Sequence, residues 1–220
     1  NENYTPDAGL GVGTTTESAK RQFLPVPSFG YVTDAAKYVS LGLGVYFPHG
    51  NGGKFSTASA WPGNPNEGRI YSMEIAPAVA WKILPELSIG ATFRIVRISS
   101  TLKGQLITAP ILDTVNDLSV TGWGYGASAG ILYKPLTWLS IGGNYRSKIK
   151  KTLDGNVAFA ANGTHAATLA GEILPTLITG GIAVKPMEKL TVAASYDFER
   201  NSEIETLTVT VPDLGASLPN

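Results

Sequence analysis

Cysteine is absent from the 220 residues, and histidine occurs only twice, as His49 and His165. The first absence removes disulfide frameworks, thiolate nucleophiles and Cys-ligated zinc together. The second leaves no imidazole cluster for a metal centre, so neither a metal nor a cofactor is expected. Charge is scarce as well: 15% of residues are Asp, Glu, Lys or Arg, against about 25% in an average soluble domain. Seventeen basic residues offset seventeen acidic ones, so the basic face that neutralises phosphates is missing and no nucleic-acid partner is expected. Long apolar runs are missing too. Mean hydropathy is only +0.07, and Ser, Thr, Gly and Pro interrupt every stretch short of the roughly 20 apolar residues of a membrane helix. A bilayer is thereby excluded in its helical form alone.

What the chain does contain is glycine, 25 residues of it, with 14 prolines, and apolar residues that recur at spacing two. Val39, Leu41, Leu43, Val45 and Phe47 alternate with Ser40, Gly42 and Gly44. Leu87, Ile89, Ala91, Phe93 and Ile95 alternate with Ser88, Gly90, Thr92 and Arg94, and Leu190, Val192, Ala194, Tyr196 and Phe198 repeat the phase. Tyr71, Met73, Ile75, Val79 and Trp81 face away from Ser72, Glu74, Ala76, Ala78 and Ala80. This is the pattern of strands with one greasy face and one small or polar face.

The strands belong to a repeat. Anchor residues Val39, Leu87, Leu139 and Leu190 lie 48, 52 and 51 residues apart, each after a short turn. Connections of 22 or 23 residues (48–69, 99–121 and 152–174) alternate with connections of three to five. Short turns therefore gather at one edge of the sheet and long loops at the other. About eight antiparallel strands are predicted, near 23–32, 39–47, 70–83, 87–98, 123–133, 139–149, 175–184 and 190–199. Residues 1–22 read as loop. Their Gly9-x-Gly11-x-Gly13 spacing lacks the helix that a phosphate loop requires.

Two architectures accommodate such a meander. A soluble or adhesive β-repeat module, propeller-like, is one, because about 50 residues is also a blade period. The inner-face chemistry and the asymmetry of the loops favour the other, an up-and-down transmembrane β-barrel. The face opposite the apolar one carries Gly, Ala, Ser and Thr with sparse charges at Glu74, Arg94, Arg146 and Asp197, not the Lys and Glu density of a solvated surface. Nine residues from Leu87 to Ile95 rise roughly 30 Å, which a tilt near 40° projects to about 23 Å, close to the height of a barrel's apolar band. Tyr38, Trp81, Tyr133 and Trp138 gather toward the short turns, with Trp123 and Tyr125 toward the other end, as interfacial aromatics do.

The block Gly122-Trp-Gly-Tyr-Gly-Ala-Ser-Ala-Gly-Ile-Leu-Tyr-Lys-Pro135, followed by Leu139-Ser-Ile-Gly-Gly-Asn-Tyr-Arg-Ser-Lys-Ile-Lys150 and Leu153-Asp-Gly155, resembles the middle of the FadL/TodX-type outer-membrane transporters of long-chain fatty acids and hydrocarbons. Leu41-Gly-Leu-Gly-Val45, Ile75-Ala-Pro-Ala-Val-Ala-Trp-Lys82 and Leu174-Pro175 are similar too, so the resemblance extends over roughly 23–207. It implies a monomeric barrel of fourteen strands in the bacterial outer membrane, with a plug, a signal and a terminal aromatic. Against that pattern residues 1–220 read as one incomplete barrel domain, an internal fragment without the plug, the first strand and the C-terminal strands. The function implied is passive uptake of hydrophobic small molecules amid outer-membrane lipid or lipopolysaccharide, with no enzymatic step. Neither His49 nor His165 has Ser and acidic partners at a recognisable spacing.

Candidate sites follow from the resemblance and from the alternation. In the family, apolar loop surfaces collect the substrate. The matching residues are Phe55 and Trp61 in one loop and Leu106, Ile107, Ile111 and Leu112 in another. Each methylene buried there contributes about 0.8 kcal/mol; packing of the loops on each other is the alternative. Arg94 and Arg146 fall on the small-residue face and Arg97 at the strand exit, where a guanidinium fork would suit a carboxylate headgroup in the lumen. The alternative is structural pairing with Glu74 or Asp197. The family's kinked strand maps to Gly42, Gly44 and Pro48.

Overall fold

A computed structural model of the chain describes residues 3–4, 17–18, 20, 25–54, 67–108, 113–203 and 208–219. Its strands are β1 (Asn3–Tyr4), β2 (Glu17–Ser18), β3 (Phe29–Ala36), β4 (Val39–Lys54), β5 (Glu67–Leu84), β6 (Leu87–Thr108), β7 (Asp113–Leu136) and β8 (Leu139–Arg146). There follow β9 (Ile149–Lys150), β10 (Leu153–Phe159), β11 (Gly163–Ala170), β12 (Glu172–Leu174), β13 (Leu177–Met187), β14 (Leu190–Glu199), β15 (Thr208–Val211) and β16 (Ala216–Pro219). No helix is long and apolar enough to cross a membrane among the described residues.

Two-residue turns at 37–38, 85–86, 137–138 and 188–189 join the hairpins at one end. The repeat of about 50 residues has a backbone cause there. Lys82, Lys134 and Lys185 each donate a main-chain N–H to the carbonyl of the preceding hairpin's turn, at Tyr38, Glu86 and Trp138. Pairing in the order β3-β4-β5-β6-β7-β8-β13-β14 makes the expected eight-strand antiparallel meander. The continuous ladder replaces the separate blades of a propeller. It matches part of a barrel wall, and among the described residues β3 and β14 do not pair with each other.

The inward side is identified by burial: Ser72, Glu74 and Ala76 of β5 and Arg94, Val96 and Ile98 of β6 are buried, whereas Leu41, Val79, Ile89, Phe93, Ile131 and Ile141 on the other side are exposed. An outward surface of this composition is stable against lipid and not against water. Its composition grades toward the long-loop end. The row Val45, Ile75, Ile95 and Tyr125 gives way to Met73, Arg97 and Trp123, then to Tyr71, Ser99 and Thr121. Beyond Arg69, Thr101 and Ser119 the last row is Lys54, Glu67, Lys103 and Asp117. Lys54 donates to Glu67 at 2.9 Å and Lys103 pairs with Asp117 at 3.5 Å. The Lys54 bond holds the Glu67 carboxyl below its ordinary value of 4.5, so this clip is present above that pH and is lost as the pH falls through the lowered value.

Several expected boundaries are corrected. The first wall strand begins at Phe29 rather than near residue 23, and β1 pairs with β2 inside the stretch read as loop. Two of the long connections are shorter than the sequence suggests, because β4, β5, β6 and β7 continue past the point where apolar alternation stops. Backbone ladders need no apolar side chains, and the cross-strand ion pairs support them there. The third connection contains the hairpin β10-β11, which docks on the upper half of β7 and leads on to β15 and β16. It brings Leu153, Val157 and Phe159 onto Val96, Ile98, Leu118 and Val120, a small apolar core at the long-loop end. The strand expected over 139–149 leaves the wall after Arg146.

The alternation generates a labelling prediction. In intact membranes a water-soluble thiol reagent should modify Thr92→Cys from the lumen and spare Phe93→Cys, which lipid covers; equal labelling would refute the assigned faces.

Candidate functional site

The carboxylate of Glu74, fully buried on the inner face of β5, organises the lumenal site. Its Oε1 accepts from Tyr46 Oη of β4 at 2.5 Å and from Arg94 Nε of β6 at 2.9 Å. Its Oε2 accepts from Arg94 Nη2 at 3.0 Å and from Arg146 Nη2 of β8 at 2.7 Å. Four donors thus fill the four acceptor positions that an ionised carboxylate offers. The Arg94 pair is a two-point fork, the strongest common geometry for such ions. Arg94 spends its remaining terminal nitrogen on the Ser147 carbonyl at 2.9 Å and is itself 3% exposed.

Arg146 differs. Its side chain is 21% exposed, and among the described residues only Nη2 is engaged, with Glu74 and, at 3.5 Å, with Tyr46. Two guanidiniums on one carboxylate leave a formal charge of +1. The part of that charge open to the lumen lies on Arg146.

β7 separates Arg94 from Arg146, and the cluster can cross it because β7 has no inner side chains there. Gly126 stands directly opposite Arg94 in register. A Cβ on Gly126 would lie 3.0 Å from Ser147 Oγ and 2.9 Å from Ile149 Cγ1, and one on Gly122 would meet Leu153 Cδ2 at 2.8 Å. On Gly124 it would collide with Ile149 Cγ2. The Trp-Gly-Tyr-Gly stretch is therefore a floor. β8 stops pairing with β7 at Arg146 opposite Ser128, and β10 resumes at Asp154 opposite Thr121. Between those points the chain bows inward over the glycines, buries Ile149, and pairs β9 with β12.

Of the residues singled out from the sequence, the structure brings together Arg94 and Arg146, and not Arg97. Arg97 projects outward, exposed, with its guanidinium 5.7 Å from the centre of the Trp123 ring. An odd position on β6 cannot share the lumenal face with Arg94. Asp197 is not in the cluster; it accepts from Thr179 at 2.6 Å. Leu106 and Ile107 belong to β6 rather than to a loop, opposite Val115 and Thr114. Phe55, Trp61, Ile111 and Leu112 lie outside the described residues. β4 runs in regular register through Gly42 and Gly44, and its irregularity falls between Tyr46 and His49, at Pro48. Tyr46 and Ile149 were missed. Tyr46 had a signal, being the one bulky residue on a face otherwise made of Ser40, Gly42 and Gly44; Ile149 had none, because its position depends on where β8 leaves the wall.

An antiparallel wall with an apolar outer face, interfacial aromatics and a polar cluster inside is the outer-membrane β-barrel class. Residues 2–218 match the profile of the family described as outer membrane protein transport protein (OMPP1/FadL/TodX), and the chain belongs to that family. It is a family of transporters, not of enzymes. Similar solved structures include a Pseudomonas aeruginosa FadL homologue (18% identity, TM-score 0.75, 88% of this chain and 53% of that one). The Ralstonia pickettii toluene transporter TbuX gives 19% identity and a TM-score of 0.76 over 88% of this chain and 60% of that one. The CymD monoaromatic hydrocarbon channel gives 18% and 0.68 over 88% and 59%. The chain thus spans between half and three-fifths of those structures. No curated protein sequence matches it.

Removing Glu74 should be costly, since two guanidiniums would face each other without their anion. Glu74→Leu is expected to destabilise the folded barrel by about 3–5 kcal/mol, read as a lowered urea midpoint of the heat-modifiable band on gels. Gly124→Ala should cost about 1–3 kcal/mol by displacing Ile149; an unchanged midpoint would contradict the floor.

Proposed function

We propose that the protein containing this chain takes up hydrophobic small molecules passively across the bacterial outer membrane, and that Arg146 supplies a lumenal cation open to a ligand. Family membership supports the transport class. The observation that carries the reading is the inner face between the Glu74 cluster and the short turns. There Ala78, Thr92, Ser128, Gly130 and Asn144 border a groove of about 400 Å³. A second groove of about 460 Å³ runs along β8, β13 and β14 past Ser140, Gly142 and Thr179. Small, weakly polar walls give an apolar molecule room without fixing it, which suits passage better than tight retention.

The chemistry of the ligand turns on the arginines. Arg94 is consumed by Glu74 and Ser147, and Arg97 faces outward, so a carboxylated ligand has Arg146 to turn to. Neutral hydrocarbons have no use for it, and the similarity to the toluene transporter TbuX and the CymD monoaromatic hydrocarbon channel supports keeping that second reading. Capture by Phe55, Trp61, Leu106, Ile107, Ile111 and Leu112 belongs to the same proposal.

Arg146→Gln in the complete protein separates the two. Uptake of a long-chain carboxylate should fall about ten-fold, the value of one charge-assisted hydrogen bond, while a neutral aromatic hydrocarbon is carried as before. Equal losses for both ligands would make Arg146 a structural partner of Glu74 alone. Ala78→Trp, which fills the groove, should depress both; full transport of both would overturn the route itself.

A further inference from the structure

The outward surface holds a second cationic feature that transport does not use. Arg97 sits where the apolar belt ends, between Met73 and Trp123 in its row. It has no acidic partner among the described residues. Glu67 is occupied by Lys54 at 2.9 Å and Arg69 at 3.6 Å, and Asp117 by Lys103. Below Arg97 the surface is apolar and aromatic, with Phe93 and Tyr125 stacked at 6.2 Å between ring centres. The row above it offers the hydroxyls of Tyr71 and Ser99. Arg69 follows one row further out, four residues from Met73 along β5, about 13 Å by strand rise.

We propose that Arg97, seated on Trp123, is the docking site for the phosphate of an anionic lipid headgroup in the outer leaflet. Tyr71 and Ser99 supply hydroxyl donors, and Arg69 flanks the site on its solvent side. The occupant is fixed by level and by charge. A cation held over an outward-facing interfacial tryptophan faces the membrane sideways, where a phosphate lies directly above acyl chains and a soluble anion or a protein partner does not. Attraction to the ring 5.7 Å away consumes none of the guanidinium N–H groups, which a phosphate can then accept from. Acyl chains of the same lipid then lie along Phe93 and Tyr125, so headgroup and chains are recognised by one continuous strip of β6 and β7.

Native mass spectrometry of the complete protein in detergent tests this, with a phosphorylated outer-leaflet glycolipid and its dephosphorylated form as paired probes. The wild-type protein should retain the phosphorylated form preferentially. Arg97→Gln should weaken that retention about five-fold, the ratio expected for one basic residue at an anionic surface, without changing retention of the dephosphorylated form. Heat-modifiable migration confirms that the variant is folded, and the comparison of probes on the wild type stands without any variant. Equal retention of both probes by the wild type, or undiminished retention of the phosphorylated one by Arg97→Gln, would overturn the proposal.

Discussion

A carboxylate buried inside a barrel wall must be compensated where it stands, and the Glu74 carboxylate is compensated from three other strands. Tyr46, Arg94 and Arg146 reach it from β4, β6 and β8. Between Arg94 and Arg146 the inner face of β7 holds nothing larger than hydrogen at Gly124 and Gly126, where a Cβ would run into Ile149. The empty face in turn receives Ile149, and the inward bow of the chain between Arg146 and Leu153 follows. Burial of one charge and absence of side chains on the neighbouring strand are thus a single arrangement.

That arrangement divides the lumen into layers. Above the cluster, toward the long loops, Val96, Ile98, Val120, Leu153 and Val157 pack as an apolar core that a wall strand alone would not need. Below it, small residues line the grooves on the inner face. The outer surface has its own layering, from exposed aliphatic residues through Trp123 and Tyr71 to the ion pairs of Glu67 and Asp117. The two gradients are independent because alternate residues of each strand belong to different solvents.

Much of the wall was legible in advance. Period-two alternation identifies a strand with two unlike faces from the residues alone, and strict alternation of short and long connections identifies an antiparallel meander. The eight wall strands follow from these. The ends of the strands were not legible, because at Lys54, Glu67 and Lys103 the backbone ladder outlasts the apolar pattern. The hairpin from Leu153 to Ala170 was not legible either, since its burial depends on β7 lying beside it.

The sequence by itself determined which residues share a face: Glu74, Arg94 and Arg146 on the small one, Phe93, Trp123 and Tyr125 on the apolar one. Local geometry suffices for that, because side chains alternate whatever the partner strand. Only the tertiary structure decided which charges meet. Glu74 has Arg94 one strand away and Arg146 three strands away, at separations of 20 and 72 residues, and register across β5 to β8 sets those distances. Register also sent Asp197 to Thr179 and set Arg97 beside Trp123 on the outer surface, because pairing between strands distant in sequence is settled by the whole sheet and by no single segment.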